Sequence, residues 1–308
     1  MSPQTTINNL SITSNKIDLA KTQYASLKHL IPDYVNQLLS FELVNSNYAI
    51  ANGLRRSIMN EIPVRHLTVS MTDIFSTDPY VVGDIIKSRI EMIPIDQDIP
   101  LGTTYSIRFE NKEDSYIDVL SSEITQRKST ASGISQSIPI CSINANHSFV
   151  VENIVVAESY GYANGRASIG KVSYEILKHD MHNISSANSD PTNFKLVLEV
   201  PGNINPKKII LLAIDSIIDR LNNIDYSLAK VEYDIYKLLI PNETHTIGNL
   251  LVRYIYQLDS NIDYVAMRLI HPSKRETVID IKHPQAEKLC KLAVINIIKE
   301  LNALKKMI

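Results

Sequence analysis

Residues 48–58 read YAIANGLRRSI and residues 245–255 read HTIGNLLVRYI. Superposed, Ile50 meets Ile247, Asn52 meets Asn249, Leu54 meets Leu251, Arg56 meets Arg253 and Ile58 meets Ile255, each pair 197 residues apart. Two distant segments with the same small-Asn-x-Leu-x-Arg helix start imply two copies of one structural unit. An internal copy buries what its twin exposes, so a built-in dimer is expected, and with it a scaffold rather than a catalyst.

The composition permits this. At 308 residues, with 44% hydrophobic and 21% charged side chains, the chain can hold two or three ordinary globular domains. A net charge of −2 gives no global field for nucleic acid. Two cysteines, Cys141 and Cys290, lie far apart without a C-x-x-C spacing. This argues against a disulfide framework or a cysteine-built zinc site, and no metal or cofactor is expected. The polar start MSPQTTINNLSITSNK has no apolar run of a leader peptide. The longest apolar run, Ile209 to Ile218, is broken by Asp215 and is too short to span a bilayer.

Working outward from the repeat, residues 1–16 are expected to be disordered or extended, and Ile17 to Leu39 a lead-in with one short helix. Phe41 and Leu43 alternate as a strand, Asn45-Ser46-Asn47 turns, and a helix spans 51–60, stopped by Pro63. Leu67, Val69 and Met71 read as a further strand, and Ile85 to Ile93 as a helix. Between 98 and 195 short β-like runs (Tyr105–Phe109, Phe149–Val156, Gly170–Ile176) replace helical periodicity, with a mobile Ser-rich stretch near 129–137. Leu196, Leu198 and Val200 resume the first unit. Asn205 and Pro206 then cap an apolar helix to about Asn222. In the second unit Val231 to Ile235 is read as a strand, followed by the repeated helix and by strands at Tyr264–Ile270 and Thr277–Ile281. A terminal helix after Pro284 carries the face Leu289, Ala293, Ile297, Leu301 and Leu304. The expected class is α+β. The divisions are an extension 1–35, a first unit 36–97 plus 196–224, a mostly-β insert 98–195 and a second unit 225–308.

The strings FELVNSNYAIANGLRRSIMNEIPVRHLTV and DIIKSRIEMIPI, a G-x-A-x-G run at Gly161–Gly165 followed by Ala167 and Tyr174, and ETHTIGNLLVRYIYQLDSNIDYVAMRLIHPSKRETVIDIKHP occur in one order. Over residues 38–308 the chain resembles the α-like subunits of multisubunit RNA polymerases. It carries the larger and the smaller partner in one chain, as in the fused form of large cytoplasmic DNA viruses. Two departures stand out: Gly83 at one of two acidic positions, and Ile169 at a common Trp. The single insert cysteine, Cys141, gives no basis for the zinc or iron–sulfur cluster of many relatives.

The resemblance implies two dimerisation units packed as an intramolecular pseudo-dimer. It also implies a non-catalytic assembly platform that docks the two largest polymerase subunits beside small platform subunits, and meets DNA only through the assembled complex. No membrane is involved. The isolated chain is expected to be a monomer, sited in the host cytoplasm and the virion. Arg56 is the leading docking residue for the second-largest subunit, with Arg55 beside it. The pseudo-dimer interface is assigned to Asn52, Leu54, Ile58, His245, Asn249, Leu251, Ile255, Leu289, Ala293, Ile297 and Leu301.

From residue chemistry alone, Asn52 and Asn249 read as helix caps, and His245 as polar packing at a helix entrance with Thr246. His271-Pro272 reads as a strand end, Asp84, Asp96 and Asp98 as solvated surface, and Lys305-Lys306 as charge suited to a helix C-terminus. Lys207 and Lys208 oppose the dipole of their helix, which points to an acidic partner. The rival functions are an enzyme with a pocket around Ser142–Gly165, a nucleic-acid-binding module using Arg55, Arg56, Lys207 and Lys208, and a generic scaffold of the same fold.

Overall fold

The computed structural model describes residues 5–16, 23, 35–126, 134, 137–165, 169–177, 190–201, 204–231 and 234–308. Strand β1 (Thr6–Lys16) pairs with β2 (Val35–Val44), which leads into helix α1 (Tyr48–Arg56) and one π-type turn (Ser57–Glu61). After a long excursion the chain returns as β10 (Lys171–Ile176), β11 (Phe194–Pro201) and α3 (Pro206–Asn222). The second half is β12 (Ala229–Lys230), β13 (Ile235–Pro241), α4 (His245–Leu258), β14 (Tyr264–Leu269), β15 (Glu276–Lys282) and α5 (Ala286–Lys305).

The two sheets have one connectivity. The first is ordered β1-β2-β11-β10 and the second β12-β13-β15-β14, each antiparallel throughout, with a helix after its second and its fourth strand. Even the turns agree. Asn45 and Asn242, 197 residues apart, both take left-handed backbone (φ 57° and 61°) just before α1 and α4. Asn tolerates that region better than other side chains. Period-two burial sets the inner faces: Leu39, Phe41 and Leu43 on β2, Leu196 and Leu198 on β11, Leu238 and Ile240 on β13, Ile279 and Ile281 on β15. These faces and the four helices α1, α3, α4 and α5 share one continuous apolar core.

The excursion has its own core. It contains β3 (Pro63–Thr68), β4 (Ile74–Ser76), α2 (Gly83–Glu91), β5 (Thr104–Glu110), β6 (Ile117–Leu120), β7 (Thr125–Gln126), β8 (Pro139–Ile143) and β9 (Ser148–Tyr160). The main sheet runs β3-β9-β5-β7, with β4 also on β9, and β6 pairs β8. Leu67, Val69, Ile86, Ile90, Ile93 and Ile95 pack here, with Tyr105, Phe149 and Ile154.

Several sequence expectations are corrected. Residues 67–95 belong to this second core and not to the first unit, so the boundary expected at 97 moves back to the segment after Val64. Conversely, β10 lies in the first sheet, Tyr174 opposite Leu196, and so falls outside the excursion. Of the two alternatives for the start of the chain, disordered or extended, residues 6–16 take the extended one, as a strand whose backbone finds partners along β2. Met71 opens a 3-10 turn instead of ending a strand. Of the strand placed at Val231–Ile235, only Ile235 belongs to β13, Asp234 turns with φ 57°, and residues 232–233 lie outside the described residues. The lead-in helix and the Ser-rich stretch near 129–137 lie largely outside the described residues.

The helix caps also move. Asn52 and Asn249 each sit inside their helices; Asn47 caps α1, its Oδ1 accepting from the N–H groups of Ala49 (3.0 Å) and Ile50 (3.1 Å). Thr244 precedes α4 without a side-chain cap bond. By contrast, Asn205 caps α3 as read, accepting from Lys207 N–H at 3.0 Å. Asn47→Ala is therefore expected to cost about 1–2 kcal/mol in urea denaturation. Asn52→Ala, which removes a half-buried bond to Arg55, is expected to cost about 1 kcal/mol or less.

Candidate functional site

Helices α1 and α4 cross in the middle of the shared core. Gly53 stands at the contact: a β-carbon there would lie 3.5 Å from Leu250 Cδ1. Gly53 and Leu250 are themselves 197 residues apart, so equivalent positions of the two repeats touch each other. Around this point Leu54, Ile58, Leu251 and Ile255 are buried, and Leu289, Ala293, Ile297 and Leu301 bring α5 into the same core. Asn52 and Asn249 are half-buried at its margin, and His245 is exposed, so the polar packing expected of His245 belongs to its buried neighbour Thr246.

Two polar networks flank the crossing. In the first, Arg56 Nε donates to Thr246 Oγ1 (3.1 Å), and Thr246 donates to Glu61 Oε1 (2.8 Å). Arg220 of α3 bridges Glu61 Oε2 (2.7 Å) and Glu243 (2.7 Å). Both carboxylates are buried. Burial works against the charged guanidinium, but the bonds and charges of Glu243 and Glu61 outweigh it and hold Arg220 above its ordinary range. In the second, Glu300 of α5 accepts from Thr5 Oγ1 (2.6 Å), Ser46 Oγ (3.3 Å) and Tyr254 OH, while Asn47 Nδ2 reaches Tyr254 OH at 3.3 Å. Burial, with the Glu300 charge adding to it, raises the Tyr254 hydroxyl well above the usual phenol range. Thr5 thus ties the start of β1 to the terminal helix.

The arginines have distinct surroundings. Arg55 Nε donates to Asn52 Oδ1 (3.0 Å), and its Nη1 lies 3.4 Å from the Met59 sulfur. Arg56 is half-buried on Thr246. Its equivalent Arg253 lies 5.3 Å over the Tyr48 ring and pairs with Asp190 (2.5 Å). The G-x-A-x-G loop is a packing device: a β-carbon on Gly161 would come within 2.6 Å of the Met59 carbonyl, and Tyr162 N–H donates to Asn60 O (3.1 Å). Arg275 from the β14–β15 turn lies 3.8 Å over the Tyr162 ring, joining the second half to this loop.

Lys207 and Lys208 have internal partners. Lys207 Nζ donates to Ile308 O (2.7 Å), and Lys208 pairs with Asp98, whose carboxyl is held below its usual range by that lysine. The acidic partner expected from the sequence is thus supplied within the chain. Lys305 likewise pairs with Asp215 of α3 at 2.5 Å. Around Ser142–Gly165, Ser142 donates to Asp118 (2.6 Å) and the His147 ring meets Thr77 (3.2 Å), so serine and histidine are not joined as nucleophile and base. Among the described residues no three His, Cys, Asp or Glu side chains cluster to hold a metal, and no helix is long and apolar enough to cross a membrane. Burial pushes the Cys141 and Cys290 thiols up to about 12.

Sequence reading missed Asn47, Glu61, Arg220, Glu243, Tyr254 and Glu300. A signal existed for two of them. Arg220 and Glu300 fall three residues beyond Ile217 and Ile297, on the apolar stripes of their helices, where a charge requires a buried partner. Arg220→Met, which strands two buried carboxylates, is expected to cost about 3–5 kcal/mol in denaturant unfolding. Adding Glu61→Gln and Glu243→Gln is expected to recover much of that loss.

The family model for the RNA polymerase Rpb3/Rpb11 dimerisation domain matches residues 40–221. The chain is also similar to the DNA-directed RNA polymerase RPB3-11 homolog of African swine fever virus. Identity is 25% for the Warthog/Namibia/Wart80/1980 isolate, covering 90% of this chain and 88% of that protein. For the Pig/Kenya/KEN-50/1950 isolate it is 24%, covering 91% and 88%.

Proposed function

The chain belongs to the RNA polymerase Rpb3/Rpb11 dimerisation-domain family, and from that premise we propose that it is a viral DNA-directed RNA polymerase subunit acting as a non-catalytic assembly platform. The two halves act as the larger and the smaller α-like partner, clasped as an intramolecular pseudo-dimer, with residues 67–156 as a mostly-β insert in the first. The observation that carries this reading is the Gly53–Leu250 contact, where equivalent residues of the two repeats meet inside one core. The relatives named RPB3-11 homolog support it, because the likeness extends over nine-tenths of the chain and so includes both halves.

A fused pair gains its partner without a bimolecular step. An obligate interface of this kind buries on the order of 2,000 Å² or more, and the covalent link gives the second unit an effective concentration of about millimolar or higher. The outer faces then serve the two largest subunits and the small platform subunits, and DNA is met only in the assembled complex. Assembly takes place in the host cytoplasm. The isolated chain is a monomer, because its dimer seam is already filled. A stable homodimer in light scattering would contradict this.

Arg56, with Arg55 beside it, is the proposed docking point for the second-largest subunit. A guanidinium fixes orientation through paired bonds to carboxylate or carbonyl oxygens. Arg56 spends its Nε on Thr246, which pre-orients the group at the seam. Tagged Arg56→Ala is expected to remain folded, with a loss of about 1 kcal/mol from the Thr246 bond, and to co-purify several-fold less of the second-largest subunit. Undiminished co-purification would remove Arg56 from the docking surface.

A further inference from the structure

The seam carries a second layer of information, which rests on the two-unit reading above. Across the crossing each residue can be compared with its equivalent in the other repeat. The offset is 197 for α1 and α4. For the long helices it is 80: Ile209 falls on Leu289, Ala213 on Ala293 and Ile217 on Ile297, all buried. Arg220 then falls on Glu300, and Glu243 on Ser46. The contacts obey the same correspondence, since Arg220 binds Glu243 and Glu300 binds Ser46. Most equivalent places carry the same or a similar residue, but at three of them, Gly53 with Leu250, Arg220 with Glu300 and Ser46 with Glu243, the two units carry residues of unlike size or charge.

We infer that these positions form a pairing code that admits only unlike units. A first unit facing another first unit would set Gly53 against Gly53, leaving a void, and Arg220 against Ser46, with the Glu243 carboxylate gone. Two second units would force Leu250 against Leu250 and bring Glu300 against Glu243, two carboxylates at a water-poor seam. The stacking arginine adds to this: Arg253 lies over Tyr48, whose equivalent in the second unit is His245. Voids, overlaps and facing like charges each act against the wrong partner rather than for the right one. The code stops copies of the chain from associating through like halves while the seam forms.

Single variants of the full chain recreate the like pairs. Leu250→Gly gives the Gly–Gly pair, Gly53→Leu gives Leu–Leu, and G53L/L250G restores the unlike pair in inverted order. Thermal unfolding and amide exchange of α1 and α4 are the readouts. Each single variant is expected to lower Tm by several degrees and speed exchange, and the inverted pair to lose clearly less than the two losses combined. An inverted pair that loses the full combined amount overturns the inference. Gly53→Ala, whose β-carbon fits, is expected to leave Tm unchanged or raised; a fall would also overturn it. Should the Leu–Leu variant not fold, the charge positions decide. Ser46→Glu sets a carboxylate against Glu300 and lowers Tm, and S46E/E300R is expected to recover it, with no recovery counting against the code. Polymerase capture by the tagged wild-type chain separates the two readings. An additive cycle with capture intact removes the code alone, whereas absent capture with a coupled cycle removes the platform and leaves the pairing.

Discussion

The close passage of α1 over α4 is the constraint on which the structure depends. A glycine at the contact lets the two helices approach until Leu250 fills the space above Gly53, and this approach draws both sheets onto one core. Apolar burial supplies the driving force, because dispersion and water exclusion scale with the area brought together. Direction comes from the polar groups at the two ends of the crossing, where Arg220 and Glu300 each reach from a long helix into the opposite unit. Removing one member of a buried ion network leaves its partners buried and uncompensated, so the loss is costly even where the intact network adds little net stability.

Much of this was legible in the sequence. The repeated helix start was read as two copies of one unit, and the two sheets do share one connectivity. The apolar face of the last helix read correctly because five residues at three- and four-residue spacing all turned inward. Other features were hidden for physical reasons. Thr6–Lys16 alternates few apolar residues, and its strand is held by backbone pairing to β2 that no local pattern reports. Pairing also decides β10, which looks like the β-rich stretch before it but bonds to β11 of the first sheet.

The polar part of the seam was less legible than the apolar part. Asn52 and Asn249 looked like caps because they recur, yet recurrence reflected their shared place along a helix, and capping fell to Asn47. His245 was read as polar packing and is exposed, whereas Thr246 beside it is buried and relays Arg56 to Glu61. A charged residue on an apolar stripe, as with Arg220 and Glu300, is the pattern to look for in chains of this kind. The lysines at the start of α3 show the reverse case: an unfavourable position on the helix dipole answered inside the same chain by Asp98 and by the Ile308 carbonyl.

An electron cryo-microscopy reconstruction of the polymerase purified from its native source tests the central claim most directly. The account predicts one copy of the chain, with Gly53 packed against Leu250 of that same copy and the outer faces of its two sheets covered by larger subunits. Two copies meeting α1 to α1, or one copy whose halves lie apart on different partners, would contradict it.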